Sequence, residues 1–175
     1  MIMDRDDLID ILDVLESSEI EVWLDGGWGV DALLGEQTRP HKDVDIIVRV
    51  SDVPAMISVL GDRGFELVDG RPSSNFVLKD SQGREVDVHP VRFDEEGNGV
   101  YRMLNGEDWI YPAAGFKGAG RVADREVRCL TPEVQMLCHT GYEPSEKDFR
   151  EMRLLRQRFG VELPEEYRDD PRTAG

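Results

Sequence analysis

Basic residues, cysteines and long apolar runs are all scarce in this chain of 175 residues. It holds 21 Lys and Arg against 37 Asp and Glu, which leaves a net charge of −16 at pH 7. Because a nucleic-acid-binding surface needs a basic patch, this balance argues against nucleic acid as a partner. An acidic cleft would attract a cationic small molecule, and solubility is an equally good reading of the same charge.

The scarcity of apolar runs and cysteines bears on location. No apolar run approaches the roughly 20 residues that cross a bilayer, so no membrane partner is expected. Residues 1–10 lack the basic start and apolar stretch of a signal peptide. These absences predict a cytoplasmic protein. Cys129 and Cys138 lack the spacing of a metal site and are expected to be small core residues.

Hydrophobic periodicity predicts an α/β (α+β) domain. Helices are expected at 6–17, 28–34, 51–63, 131–141 and from 145 onward. Strands are expected at 20–24, 43–50, 65–68, 75–78 and 85–91, with a further hairpin within 121–130. The chain is expected to form one domain over residues 1–162, followed by a polar tail over 163–175 that frays.

Two aspartates share one face of a predicted strand. Asp43 and Asp45 are two residues apart, so both point to the same side, while Val44 and Ile46 point into a core. Carboxylates held this close repel unless a cation lies between them. Such a pair is a natural holder for Mg²⁺, although Asp-x-Asp on its own is as readily a solvent-exposed strand face.

A later strand supplies a third carboxylate. Glu85, Asp87 and His89 share one face of the segment at 85–91. If this strand lies beside the first, Asp87 meets Asp43 and Asp45, and three converging carboxylates suit metal-assisted phosphoryl transfer. We expect Asp87 to be the general base that takes the proton of an acceptor hydroxyl, and also to contact a metal.

A glycine pair and several basic residues are candidates for holding phosphates. Gly26 and Gly27 lie between a strand end and a helix start, where backbone N–H groups can approach a phosphate, or where the chain simply turns. The basic candidates for the leaving pyrophosphate are Arg39, His41, Lys42 and Lys147. The alternative for each of them is an ordinary solvated side chain.

Aromatic and histidine side chains near these motifs are open to two readings. Trp28 follows the glycine pair and would line a substrate cleft or pack in the core. Tyr142, at a predicted helix end, would line an acceptor pocket or simply pack. His139 lies among apolar residues, which favours a buried structural role.

Taken together, the glycine pair, Asp43-x-Asp45 and Asp87 resemble the polymerase-β-type nucleotidyltransferase superfamily. The stretch 23–31 (WLDGGWGVD) resembles the opening motif of the lincosamide nucleotidyltransferases, as do 87–90 (DVHP) and 139–142 (HTGY). Aminoglycoside 2''-nucleotidyltransferases have a similar opening motif, usually without an acid where Asp25 stands. The likeness extends from the first helix to about Arg156.

The resemblance implies a mixed sheet of about five strands flanked by helices, with C-terminal helices. It also implies Mg²⁺, an NTP co-substrate with ATP as the expected donor, and transfer of NMP to a hydroxyl of a small antibiotic-like acceptor of the lincosamide or aminoglycoside type. Asp43 and Asp45 would hold metal and Asp87 would act as base. The residues expected to contact the acceptor are Asp25, Trp28, His89 and Tyr142.

Some features depart from the family pattern or leave alternatives open. Ile47 stands where some lincosamide enzymes carry a third acid, and residues 103–120 match no pattern. Two alternative functions are left open: a nucleotidyltransferase that acts on a protein or RNA, and a catalytically silent nucleotide-binding module. By analogy with small family members, two chains would pair as a homodimer to complete a cleft.

Overall fold

The computed structural model describes residues 2–174, in which helices cover a mixed β-sheet. The helices are α1 (Arg5–Ser17), α2 (Gly26–Leu34), α3 (Val53–Gly61), α4 (Pro132–Leu137), α5 (Glu146–Phe159) and α6 (Glu165–Arg168). The strands are β1 (Val22–Asp25), β2 (Asp43–Arg49), β3 (Glu66–Gly70), β4 (Phe76–Lys79), β5 (Glu85–Phe93), β6 (Gly99–Arg102), β7 (Asp108–Tyr111), β8 (Ala119–Val122) and β9 (Arg125–Arg128).

The first helix follows directly from its sequence. Asp4 and Asp7 form a reciprocal capping box at its start, which satisfies backbone N–H groups that the helix leaves unpaired. Leu8, Ile11 and Leu15 are buried on the face that packs against the sheet. The amphipathic helix predicted from these leucine and isoleucine positions is therefore confirmed.

The centre of the sheet is a parallel pair between β2 and β5. The strand order is β1-β2-β5-β4-β3, and every other neighbouring pair in it is antiparallel. Val44, Ile46, Val86 and Val88 are fully buried on one face of this pair. Because side chains alternate along a strand, the acidic residues between them face the opposite side together.

The large sheet has seven strands, which corrects the expectation of about five. The two additional strands, β6 and β7, extend from the far end of β5, where Val91 pairs with Tyr101. They are only four residues each and carry charged ends, so their hydrophobic alternation is weak. The signal that would have found them is Asn105-Gly106, a pair typical of tight hairpin turns, with Gly106 at φ +88°.

The C-terminal segment packs onto α5 rather than fraying, which corrects the expected polar tail. Leu163 and Tyr167 are buried, and the Tyr167 hydroxyl donates a hydrogen bond to the His139 carbonyl at 2.6 Å. The Tyr167 ring lies edge-on to Phe149 with centroids 5.3 Å apart. Apolar residues spaced through a charged stretch were enough to dock it. None of the helices within residues 2–174 is long and apolar enough to cross a membrane.

Removing the docked tyrosine tests this packing. We expect Tyr167→Ala to lower the free energy of unfolding by about 3–5 kcal/mol, since it empties a large buried volume. Tyr167→Phe should cost about 1 kcal/mol, the worth of one hydrogen bond. Urea unfolding checks both, with Glu166→Ala on the exposed side of α6 as the control. Equal stability of Tyr167→Ala and the wild type would show that the segment does not dock.

Candidate functional site

A cleft of about 580 Å³ opens above the polar face of the β2–β5 pair. Most of its lining side chains fall into three groups. The acidic and histidine group comprises Asp25, Asp43, Asp45, His89, His139, Asp148 and Glu151. The basic group comprises Arg39, Lys42 and Lys147, and the aromatic and thioether group comprises Tyr101, Met103, Trp109, Tyr111 and Tyr142.

Strand register brings the carboxylates together. Asp45 is the direct partner of Asp87 across the parallel pair, and it is the partner of Asp25 across β1 and β2. His89 lies between two of these acids, with its Nε2 3.8 Å from Asp45 Oδ1 and 3.7 Å from Asp87 Oδ1. The structure therefore groups Asp45, Asp87 and His89 so that one ligand atom of each lies within 4.8 Å of the others.

Burial and mutual repulsion perturb the ionisation of this group. Burial raises the pKa of Asp87, Asp45 and Asp43 add to the rise, and His89 opposes it. Burial likewise raises the pKa of Asp43, with Asp45 contributing. For His89, burial acts against the charged form, but the nearby carboxylates outweigh it and raise its pKa to about 9. Despite its burial, Asp45 has a lowered pKa because His89 stabilises its charge.

The donor set fits a divalent cation. Asp45 and Asp87 offer carboxylate oxygens from two adjacent strands, the ligand type that Mg²⁺ prefers, whereas Asp43 shares their face but is outside the group of ligand atoms within 4.8 Å. Asp87 Oδ1 is buried and has no hydrogen-bond partner within residues 2–174. His89 Nε2 lies 3.7 Å away, beyond hydrogen-bond distance, so this oxygen still lacks a donor, which is costly unless a metal cation or a substrate proton meets it.

The glycine turn lies directly against the acids. Asp25 caps α2 by accepting the Gly26 N–H at 2.7 Å, and Gly26 adopts φ +56°. A Cβ at Gly26 would collide with the Asp45 carboxylate, and one at Gly27 would collide with Arg39 and His41. Glycine is therefore required here by close approach as well as by backbone conformation.

The predicted phosphate-binding residues divide into two sets. Arg39, Lys42 and Lys147 all line the cleft, and Lys42 and Lys147 are exposed and form no ion pair among the described residues. His41 does not line the cleft, which corrects its expected role. It is buried, with its Nε2 2.5 Å from Asp31 Oδ2, because the buried Asp31 carboxylate needs a partner.

Trp28 is also placed differently from the acceptor-binding role expected for it. It is 2% exposed, belongs to the main core, and packs on the His41 ring with centroids 4.7 Å apart. Because the Trp28 side chain lies on the core-facing side of α2, it does not line the cleft. The other three residues expected at the acceptor, Asp25, His89 and Tyr142, do line it.

One wall of the cleft was not predicted from the sequence. Tyr101 lies on β6 and Met103 just after its end, and Trp109 and Tyr111 lie on β7. The residues of each pair are two positions apart, and all four line the cleft. Tyr101 lies edge-on to His89, with centroids 5.5 Å apart. The i, i+2 spacing of these side chains is the signal that would have placed them on one face.

A buried charged network lies behind the basic side of the cleft. The His139 Nδ1 donates to the Gln135 carbonyl at 2.8 Å, and Nε2 donates to Glu151 Oε2 at 3.0 Å. Arg39 meets the other oxygen of Glu151 at 2.7 Å. The Asp148 carboxylate accepts from Tyr142 at 3.1 Å and from Ser145. Because these donors already pair with the Glu151 and Asp148 carboxylates, we do not assign a metal to this network.

The glycine turn, the converging aspartates and the mixed sheet together define a nucleotidyltransferase. The family model for aminoglycoside-2''-adenylyltransferase matches residues 7–155. The chain belongs to this family.

Individual relatives extend the comparison. The chain is 31% identical over 150 residues to a lincosamide resistance protein of Staphylococcus haemolyticus, covering 86% of this chain and 92% of that one. It is 30% identical over 122 residues to a 2''-aminoglycoside nucleotidyltransferase of Klebsiella pneumoniae, covering 68% of this chain and 63% of the relative.

Two solved structures agree in fold. A lincosamide antibiotic adenylyltransferase with lincomycin bound superposes with a TM-score of 0.75 at 32% identity, covering 85% of this chain and 94% of that one. An aminoglycoside enzyme of the 2'' class in complex with adenylyl-2''-tobramycin gives a TM-score of 0.72 at 21% identity, covering 89% of each chain. The second likeness concerns the fold alone.

The His139–Glu151 pair predicts a pH-dependent stability. The pKa of His139 is raised from 6.5: burial opposes the charge, but Glu151 and the Gln135 carbonyl outweigh it, with Asp148 3.9 Å away and Asp25 adding to the rise. A raised folded-state pKa contributes stability below pH 6.5 that is lost progressively as pH rises through the folded pKa. Glu151 has a lowered pKa, so its contribution is lost only as pH falls below 4.5.

We therefore expect His139→Asn to destabilise the protein by about 2 kcal/mol near pH 6, and by less at pH 9. Urea unfolding of wild type and variant at both pH values measures the difference. His89 titrates in both proteins and cancels from the comparison. A deficit that is the same or larger at pH 9 would contradict a charged His139.

Proposed function

We propose that this enzyme transfers AMP from Mg-ATP to a hydroxyl of a small antibiotic of the lincosamide or aminoglycoside type. The observation that carries the proposal is the division of one cleft into a basic side, an aromatic side and a floor of converging carboxylates. A triphosphate matches the basic side, and an organic acceptor matches the aromatic side. The reacting atoms would then meet above Asp45 and Asp87.

The donor side is argued from charge and backbone. Lys42 and Lys147 are free to meet phosphate oxygens, and Arg39 presents a guanidinium held over Gly27. Asp43, Asp45 and Asp87 would hold Mg²⁺, which when bound neutralises phosphate charge and polarises the attacked phosphorus. Without a cation, the carboxylates of the floor would repel the triphosphate.

The proposed reaction needs one proton acceptor. The acceptor hydroxyl oxygen forms a bond to the α-phosphorus, the bond from that phosphorus to the bridging oxygen breaks, and pyrophosphate leaves toward the basic side. Asp87 would take the hydroxyl proton. It is the strand partner of the cleft-lining Asp45, its buried Oδ1 accepts no hydrogen bond within residues 2–174 although His89 Nε2 lies 3.7 Å away, and its raised pKa favours proton binding. Positioning and electrostatics supply most of the rate.

The acceptor side favours a molecule with an apolar face and an amine. Tyr101, Met103 and Trp109 offer a surface for apolar contact, and Asp25 is a buried acid on the floor. The relatives with lincosamide names align over 85% or more of this chain at 31–32% identity. This makes a lincosamide-type acceptor the first to test.

We also propose a cytoplasmic location and a homodimer. A cytoplasmic enzyme would have Mg-ATP at hand, and the high acidic charge suits a dissolved protein. The homodimer remains a prediction, and the mass of the purified chain by light scattering tests it.

Loss of the floor carboxylates tests the chemistry. We expect Asp45→Asn and Asp87→Asn each to lower kcat by roughly 10²–10⁴, since each removes a charge or a base that acts in the transition state. Pyrophosphate release with Mg-ATP and a panel of lincosamides and aminoglycosides measures the rate. Asp62→Asn, on an exposed helix end, is the matched control. Wild-type rates in either active-site variant would sink the assigned roles.

Truncation of the aromatic wall tests the acceptor side. We expect Trp109→Ala to raise KM for the acceptor about fivefold, the worth of ~1 kcal/mol of aromatic contact, with KM for Mg-ATP unchanged. Ile110→Ala is the control, because Ile110 is on the same strand and points to solvent. Mass spectrometry of each product should show the mass of one AMP added. A protein or RNA that gains the mass of AMP, in place of a modified antibiotic, would point to a macromolecular acceptor.

A further inference from the structure

We infer that Glu151, His139 and Gln135 form a buried relay that positions Arg39 and the glycine turn for the triphosphate. The relay is defined by these three residues and connects α4 and α5 to the cleft. The inference rests on the proposed function, since it takes Arg39 as a phosphate contact. All three are positioning residues in this inference, acting through Arg39 and Gly26.

The first end of the relay is the Arg39 guanidinium. Its Nε and Nη2 lie 2.8 Å and 2.7 Å from Glu151 Oε1. The Glu151 side chain is 3% exposed and that of Arg39 is 22% exposed, so the carboxylate is buried and the guanidinium reaches the cleft. A Cβ at Gly27 would collide with Arg39, which places the guanidinium directly over the turn.

The middle of the relay alternates in charge. Glu151 Oε2 accepts from His139 Nε2 at 3.0 Å, and His139 Nδ1 lies 2.8 Å from the main-chain carbonyl oxygen of Gln135. Both partners of the ring can only accept, so both ring nitrogens carry protons and His139 is an imidazolium. A buried carboxylate between two cations is well compensated, whereas with Arg39 alone it would be less so.

The second end of the relay is the glycine turn itself. The Gln135 side chain is fully buried, and its Nε2 donates to the Gly26 carbonyl at 3.0 Å. Gly26 in turn lies against the Asp45 carboxylate. The relay therefore reaches the same turn twice, through Arg39 above Gly27 and through Gln135 at Gly26.

This geometry gives the relay a function beyond holding helices together. An arginine in a surface loop has many rotamers, and fixing one of them before ATP arrives removes an ordering cost from binding. Glu151 holds Nε and Nη2 of the guanidinium, and Nη1 donates to the Pro40 carbonyl at 3.2 Å, which leaves one N–H on each terminal nitrogen for a phosphate oxygen. Weakening the relay should therefore weaken Mg-ATP binding, with less effect on the chemical step.

The test is a double-mutant cycle on the full-length protein, with Kd for Mg-ATP measured by calorimetry without acceptor. We expect Glu151→Gln to raise Kd roughly tenfold and Arg39→Ala to raise it at least as much. Adding Glu151→Gln to Arg39→Ala should raise Kd by about threefold at most, because most of the Glu151 effect acts through Arg39 and only the Gln135 end of the relay is then left to disturb. Glu146→Gln, an exposed acid on the same helix, is the control. With an acceptor present, KM for Mg-ATP should move more than kcat.

A second variant keeps the inference open to test if Glu151→Gln does not fold. Gln135→Met nearly conserves shape and removes the bond to Gly26, and the Gln135 Oε1 has no partner to lose within residues 2–174. We expect it to raise Kd for Mg-ATP about threefold. An unchanged Kd in this variant would overturn that end of the relay.

The outcomes separate the relay from the proposed function. Fully additive effects in the cycle, or a Glu151→Gln protein that is less stable but binds Mg-ATP as the wild type does, would reduce the relay to a structural element. Normal Mg-ATP binding by Arg39→Ala would overturn the inference and leave the transfer reaction intact. A wild type that binds no Mg-ATP would overturn both.

Discussion

The site depends on the parallel pairing of β2 with β5. That pairing sets Asp45 directly beside Asp87, with every neighbouring apolar side chain turned into the core. Parallel strands are not joined by a tight turn, and here the chain runs through α3, β3 and β4 between β2 and β5. The free energy that holds two carboxylates together comes from the buried valines and isoleucines on the opposite face, rather than from the acids themselves.

The protein balances this concentration of negative charge with cations placed on three sides. His89 lies between two of the acids, Lys147 enters from α5, and Arg39 is anchored to the buried Glu151. Their placement leaves the middle of the cleft open. This arrangement suits an anionic substrate, while the protein stays strongly acidic overall.

Local sequence patterns predicted the elements that carry the chemistry. Side-chain alternation predicted that Asp43 and Asp45 share one face of their strand and that Asp87 shares a face of a second strand with Glu85 and His89. Both strands are present. The same reasoning failed for His41 and Trp28, which the structure buries. Both residues are close in sequence to the glycine pair and the aspartates, but closeness in sequence does not determine the direction in which a side chain points. His41 turns inward to pair with Asp31, a buried acid, and Trp28 packs on the His41 ring.

By itself, the sequence determined which acids share a strand face, the glycine turn and the helical faces, because each follows from a repeat of two or 3.6 residues or from a local backbone requirement. Only the tertiary structure decided the pairing of β2 with β5 that brings the aspartates together, the docked tail and the relay behind Arg39. Those features join residues far apart in the chain, such as Arg39 with Glu151 and Tyr167 with His139. Such contacts arise from packing between elements, and no local pattern encodes them.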